Sequence, residues 1–167
     1  VDAVRLALPD FPSNSSDGGL ATLFNQVVWD DLEFTGNVAL ASKSFYPQGR
    51  IANPGDINPQ DWVRPGVDAQ FIAFGNVTLI GPRISIEGRL WDLKVSQNRE
   101  MMGKRYGTEA TEAAVRILAH RFADDIVETL GFGKGVARTR IAYVSERTPG
   151  VKEVYVMDYD GSNSGPL

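Results

Sequence analysis

The sequence predicts an α/β fold of the α+β-like kind: a two-layer domain with two long helices on a mixed sheet, plus a C-terminal β-hairpin. Three observations predict it. Leu20, Leu23, Phe24, Val27 and Val28, and later Ala114, Val115, Leu118, Phe122, Ile126, Val127 and Leu130, fall at helical spacing and form two apolar stripes. Between them, Ile84, Ile86, Gly88 and Leu90 alternate with Ser85, Glu87 and Arg89, the period-two pattern of a half-buried antiparallel strand. Finally, two runs of β-branched and aromatic residues, within Arg140 to Asp158, flank Pro149-Gly150, a pair suited to the centre of a type II turn.

Taken in order, Val4 to Leu8 is apolar enough for a buried strand, which Pro9 ends. The polar loop from Pro12 to Gly19 places Asp17 as a predicted N-cap, its carboxylate accepting from free N–H groups of the first helix. Gly36 suits the position just past that helix. Val38 to Ala41 reads as a second strand. A long irregular stretch follows, in which Asn58-Pro59-Gln60-Asp61-Trp62-Val63 predicts a short helix with Asn58 as cap and Pro59 at its first position. Ala69 to Ile80 is nearly continuous in apolar character, which predicts a strand buried on both faces. At Trp91 the alternation changes phase, so a bulge near Leu90-Trp91 is expected to restore one inner face. Arg99 to Tyr106 returns as a fifth strand after the Ser96-Gln97-Asn98 turn. Thr108 is the expected cap of the second long helix, with Glu109 and Glu112 at its positive end. Gly131 ends that helix, and a glycine-rich connector leads to the hairpin. The residues from Ser162 to Leu167 read as polar filler without a third strand. A two-stranded hairpin alone is marginal in water, so it either docks on the preceding domain or begins a larger structure.

Composition narrows the function. With 167 residues, one domain is the natural expectation at roughly 150 residues per domain, and 43% hydrophobic content supplies a core. A net charge of −4 without any basic stripe argues against nucleic acid. No apolar run approaches the ~20 residues that span a bilayer, so the protein is not expected to be membrane-embedded. The absence of cysteine removes disulfides and thiolate chemistry, and a single histidine disfavours a His-based metal site or triad.

Individual candidates carry little chemistry. His120 has Asp124 one turn later, half of a conceivable catalytic pair, yet no nucleophile or second ligand accompanies it, and a solvated or capping role is expected. Gly131-Phe132-Gly133-Lys134-Gly135 closes a helix rather than opening one, which is the wrong polarity for a phosphate loop. Asp158-x-Asp160-Gly161 lacks the glycine and glutamate positions of a calcium loop and reads as a turn. Asp30/Asp31 and Asp56/Asp61 are expected on solvated faces. No catalytic, cofactor or metal residues are assigned.

The hairpin carries a resemblance. Ala137-Arg138-Thr139-Arg140-Ile141-Ala142-Tyr143-Val144-Ser145 and Val154-Tyr155-Val156-Met157-Asp158-Tyr159-Asp160-Gly161 resemble the entry into the β-propeller of the TolB family of the Tol-Pal system. His120 to Val127 followed by Leu130-Gly131 is similar to that family's second long helix. Trp62, Gly66-Val67-Asp68-Ala69 and Gly75-Asn76-Val77 fit its middle. The resemblance implies an N-terminal α/β domain over residues 1–133, a linker at 134–139, and the first strands of a propeller at 140–167. It also implies a non-enzymatic, periplasmic interaction role in outer-membrane integrity, envelope constriction during division and protein import. TolA is the implied partner of such a domain, and Pal the partner of the propeller. Ile141, Tyr143, Val154 and Val156 are then expected to face the rest of the propeller. The alternative is an enzyme of unknown chemistry using a pocket beside the loop from Tyr46-Pro47 to Pro54.

Overall fold

The computed structural model describes residues 3–16 and 18–167, and in it the chain forms two sheets. The first contains β1 (Val4–Ala7), β2 (Val38–Leu40), β3 (Phe71–Ile80), β4 (Arg83–Asp92) and β5 (Glu100–Glu109) in the order β2-β1-β3-β4-β5. β1 runs parallel to β2 and β3, and β3, β4 and β5 form an antiparallel meander. The helices α1 (Gly19–Phe34) and α3 (Glu112–Thr129) pack on one face of this sheet, burying Phe24, Leu32, Phe122 and Ile126 against Leu6, Ile86 and Leu90. The opposite face is covered over part of its area by the irregular segment that holds α2 (Pro59–Val63), whose Trp62 and Val67 share a core with Ile72 of β3.

This second layer explains two sequence signals. β3 is apolar throughout because Phe71, Ala73 and Val77 meet the helices while Ile72 and Phe74 meet the Trp62 layer. The change of phase at Trp91 has the same origin: Leu90 faces the helices, and Trp91 and Leu93 face the other core. The expected irregularity does occur between Leu90 and Trp91, but its extra residue is in β5, since Leu90 pairs with Met102 and Trp91 with Glu100. The bulge therefore does not restore one inner face; both faces are covered there.

The helix ends differ in detail from expectation. β5 continues to Glu109, so Thr108 is a strand residue, and Thr111 caps α3 by accepting from the Ala114 N–H at 3.3 Å. Glu112 lies in the first turn of α3, whereas Glu109 does not. The predicted Asp17 cap lies outside the described residues. α1 ends at Thr35, followed by Gly36 in the left-handed region at φ +68°.

The second sheet consists of β6 (Arg140–Thr148), β7 (Val151–Asp158) and β8 (Gly165–Pro166). The hairpin turns at Pro149-Gly150, with Gly150 at φ +80° as a type II turn requires. The tail is not filler, as had been expected from its polarity. Gly165 and Pro166 pair with Val156 and Tyr155, and the Leu167 N–H donates to the Val154 carbonyl at 2.9 Å. Proline fits there because an edge strand does not need every N–H.

Candidate functional site

Where the C-terminal sheet meets the helices, the structure buries charge. Asp31 on α1 and His120 on α3 are 1% and 6% exposed, and His120 Nδ1 lies 2.7 Å from Asp31 Oδ2. Both positions belong to the helical registers that also bury Val27, Val28 and Leu32 on α1 and Ala119 and Ala123 on α3. The two helices face one another, so the acid and the base meet between them. His120 is neither solvated nor a cap, and Asp31 is not on a solvated face, contrary to expectation; the helix–helix contact overrides the polarity of both side chains. Asp30 does stay outside, accepting from Gln26 Nε2 at 2.8 Å.

Asp124, one turn beyond His120, does not pair with it. Its Oδ1 accepts from the Ala137 N–H and its Oδ2 from Arg138 Nε, both at 2.8 Å. A carboxylate only 3% exposed thus ties down the start of the connector to the hairpin. Gly135 passes so close above it that any Cβ would overlap the Asp124 carboxylate. The glycine-rich connector is there for this close approach. At the helix exit Gly131 and Gly133 lie at φ +86° and +87°, and the Gly131 and Phe132 N–H groups return to the Glu128 and Val127 carbonyls, so these two amides close the helix and do not face a ligand.

The turn after β7 completes the cluster. Asp160 Oδ2 lies 3.2 Å from Arg116 Nη2 and 3.9 Å from His120 Nε2. Its Oδ1 accepts from the N–H and Oγ of Ser162 at 2.9 and 2.6 Å. The neighbouring Tyr159 packs against the helical core, with its ring centroid 6.0 Å from that of Phe34. Asp158 accepts from Asn163 Nδ2 at 2.5 Å. The carboxylates of this turn are engaged by protein groups, as a turn needs and a calcium loop forbids.

Electrostatics follow from this geometry. Burial works to lower the pKa of His120, but the hydrogen bond and charge of Asp31, with the charge of Asp160, prevail and the net shift is upward. Burial likewise raises Asp31 above the usual carboxylate value, and His120 opposes that rise. For Asp160 burial acts upward, while the Ser162 hydrogen bonds and the charges of Arg116 and His120 hold the carboxyl below its usual value. A cavity of about 150 Å³ adjoins the cluster, bordered by Asp31, Asp124, Lys134 and Tyr159. Among the described residues no group of His, Asp or Glu side chains is arranged to hold a metal ion. Thr35, which borders this cavity beside Asp31, donates its hydroxyl to the Leu32 carbonyl. The cluster is built to hold elements together.

The other sequence candidates are dispersed. A pocket of about 480 Å³ does lie beside Tyr46, Pro47 and Gly49. Tyr46 is fixed in it, accepting from the Leu8 N–H at 2.9 Å and donating to the Ala41 carbonyl at 2.8 Å, and burial pushes its phenol up to about 12. Lys43 is paired with Asp10 at 2.6 Å. Asp56 and Asp61 serve local turns separately, Asp56 accepting from the Ala52 and Asn53 N–H groups and Asp61 from Asn58 Nδ2. In the hairpin, the register pairs Ile141 with Met157 and Tyr143 with Tyr155 on one face, and Ala142 with Val156 and Val144 with Val154 on the other. Ile141, Tyr143, Val154 and Val156 therefore divide between two faces. Val156 is buried, whereas Ile141, Val144 and Val154 are exposed.

Comparison with known proteins gives a consistent result. The family described as the TolB amino-terminal domain matches residues 1–99. The Tol-Pal system protein TolB of Geobacter sulfurreducens is 31% identical over 157 residues, which cover 92% of this chain and 35% of that protein. The protein of the same name from Syntrophotalea carbinolica is 38% identical over 96 residues, covering 58% of this chain and 21% of that protein. In three dimensions the chain is similar to the crystal structure of TolB from Acinetobacter baumannii, with a TM-score of 0.76 at 21% identity over 99% of this chain and 38% of the other. The chain thus spans about a third of the length of the first relatives it matches.

Proposed function

Because this chain belongs to the family of TolB amino-terminal domains, we propose that it is a non-enzymatic protein–protein interaction domain of the Tol-Pal cell-envelope system. The reading places it in the periplasm, with TolA as its partner and a contribution to outer-membrane integrity and envelope constriction during division. Pal is assigned to the propeller, which in this reading begins at residue 140, after the α/β domain of residues 1–133 and a linker at 134–139.

One observation carries the proposal: likeness to the TolB relatives runs through the α/β domain and on into the second sheet, over 92% of the chain for the Geobacter protein. The chemistry agrees with it. Asp31 and His120 pair with each other through Oδ2 and Nδ1, Asp124 is held by the Ala137 N–H and Arg138, and Asp160 by Arg116 and Ser162. The hairpin presents Ile141, Val144 and Val154 to solvent, as strands do when they are made to be covered by further structure. Ile141, Tyr143, Val154 and Val156 are the proposed contacts to the rest of a propeller, with the exposed Ile141 and Val154 the most available of them and Val156 already buried within the hairpin's own surroundings.

A pull-down or titration calorimetry experiment with the C-terminal domain of TolA tests the partner. The protein is expected to bind; failure to bind would remove the TolA assignment.

A further inference from the structure

We propose that His120 is the proton-sensitive part of a latch: its imidazolium, set between Asp31 of α1 and Asp160 of the turn after β7, fastens the C-terminal sheet to α3, and loss of the proton loosens that turn. The inference rests on the placement of the groups and does not depend on the identity of any partner.

His120 reaches three elements at once. It emerges from α3, meets Asp31 of α1 at 2.7 Å, and directs Nε2 towards Asp160 at 3.9 Å. That nitrogen is buried and has no hydrogen-bond partner among the described residues. The charged and titratable groups facing the site are Asp31 from α1, Arg116 and Asp124 from α3, Lys134 and Arg138 from the connector, and Tyr159 and Asp160 from the turn. Asp124 is compensated by Arg138, and Lys134 borders the cavity on the connector side. At His120 itself, Arg116 and the imidazolium meet the carboxylates of Asp31 and Asp160; without that proton Arg116 is the one cation left between them, which is costly in a poorly hydrated site. Asp31 is held between α1 and α3, so the turn is the element able to relieve the imbalance by moving its carboxylate into water.

The balance has a definite sign. The Asp160 charge raises the affinity of His120 for its proton, so by linkage that charge favours the docked state at low pH and loses this advantage as pH rises through the His120 titration. Only the part of the shift contributed by the turn enters this equilibrium.

The protein has a single histidine, so its imidazole carbon-bound protons report this one site by NMR without ambiguity. His120 is expected to titrate above 6.5, and Asp160→Asn to lower that titration. Amide protection at Asp158 and Gly161, whose N–H groups donate to the Ser162 and Asp158 carbonyls, is measured in parallel and corrected for intrinsic exchange. Protection is expected to fall across the His120 titration by about tenfold for each pKa unit that Asp160→Asn removes. The variant also loses the Arg116 pair, so the pH-dependent part of protection is the readout, and it should vanish. A titration at or below 6.5, an unchanged titration in Asp160→Asn, or protection that stays level from about pH 5 to about pH 9 would each overturn the latch.

Discussion

Gly75 and Gly88 face one another across β3 and β4, and the space above them is taken by aromatic rings. A Cβ at Gly88 would meet the Phe122 ring at 2.5 Å, and one at Gly75 would run into the Glu87 carbonyl and the Phe11 ring. Phe11, Phe24 and Phe122 form a cluster with centroids 5.3 to 5.9 Å apart, and the glycine pair lets that cluster approach the sheet. Gly88→Ala is expected to cost roughly 1–3 kcal/mol through overpacking, whereas Gly107→Ala, with 3.9 Å to its nearest neighbour, should be nearly neutral. Urea unfolding midpoints of the two variants provide the comparison. The Asp31–His120 pair behaves differently. Removing either partner leaves a buried group unmatched, so Asp31→Ala and His120→Ala should each cost roughly 3–5 kcal/mol, and the double variant less than their sum. Additivity in a double-mutant cycle would show that the two do not interact. Both residues were visible in the sequence as polar positions within apolar stripes. Reading them as solvated followed residue type, when their helical register already placed them between α1 and α3.

Among the elements, α1 and α3 were legible because each carries one apolar stripe at helical spacing, and the β3–β5 meander because β3 is nearly continuous in apolar character and β4 alternates as far as Leu90. The elements that escaped were those specified by a neighbour distant in sequence. β8 is two residues long with no pattern of its own, and exists because β7 offers an edge. The bulge lies in β5 rather than β4, a distinction that only the pairing reveals. Thr111 displaced Thr108 as the cap of α3 because β5 extends along β4 as far as Glu109. The hairpin is secured unevenly: Tyr155 and Val156 are buried, while β6 is exposed along nearly its whole length. Amides from Ile141 to Met157 are therefore expected to exchange faster than those of the helix within Thr108 to Leu130. Equal protection would mean that the hairpin is as firmly integrated as α3, or is covered by another molecule.

For the whole molecule, the ionisable groups define a window of greatest stability. Asp160 and Glu87 titrate below their ordinary values of 3.8 and 4.5, Asp160 through the balance described above, and Glu87 mainly through its hydrogen bond to Arg89. Their stabilisation is present above those values and is lost as pH falls through the lower, folded-state ones. His120 has the opposite sign. Its contribution is complete below 6.5 and is lost as pH rises through the higher folded-state value. Asp31, raised by burial, incurs its cost as pH rises above 3.8, which the His120 charge offsets. The urea midpoint should thus be greatest between about pH 4.5 and 6.5 and decline on both sides. A midpoint still rising through pH 8 would contradict the assignment to His120.

The central claim at this scale is that the buried charges join the C-terminal sheet to the helical layer. Hydrogen exchange in Asp124→Ala tests it most directly, since the change deletes the acceptor of the Ala137 N–H and Arg138 Nε together. Exchange should be faster from Arg140 to Asp158, with β3 and β4 as protected as in the unaltered protein. Loss of protection spread evenly over both sheets, or none in either, would contradict it.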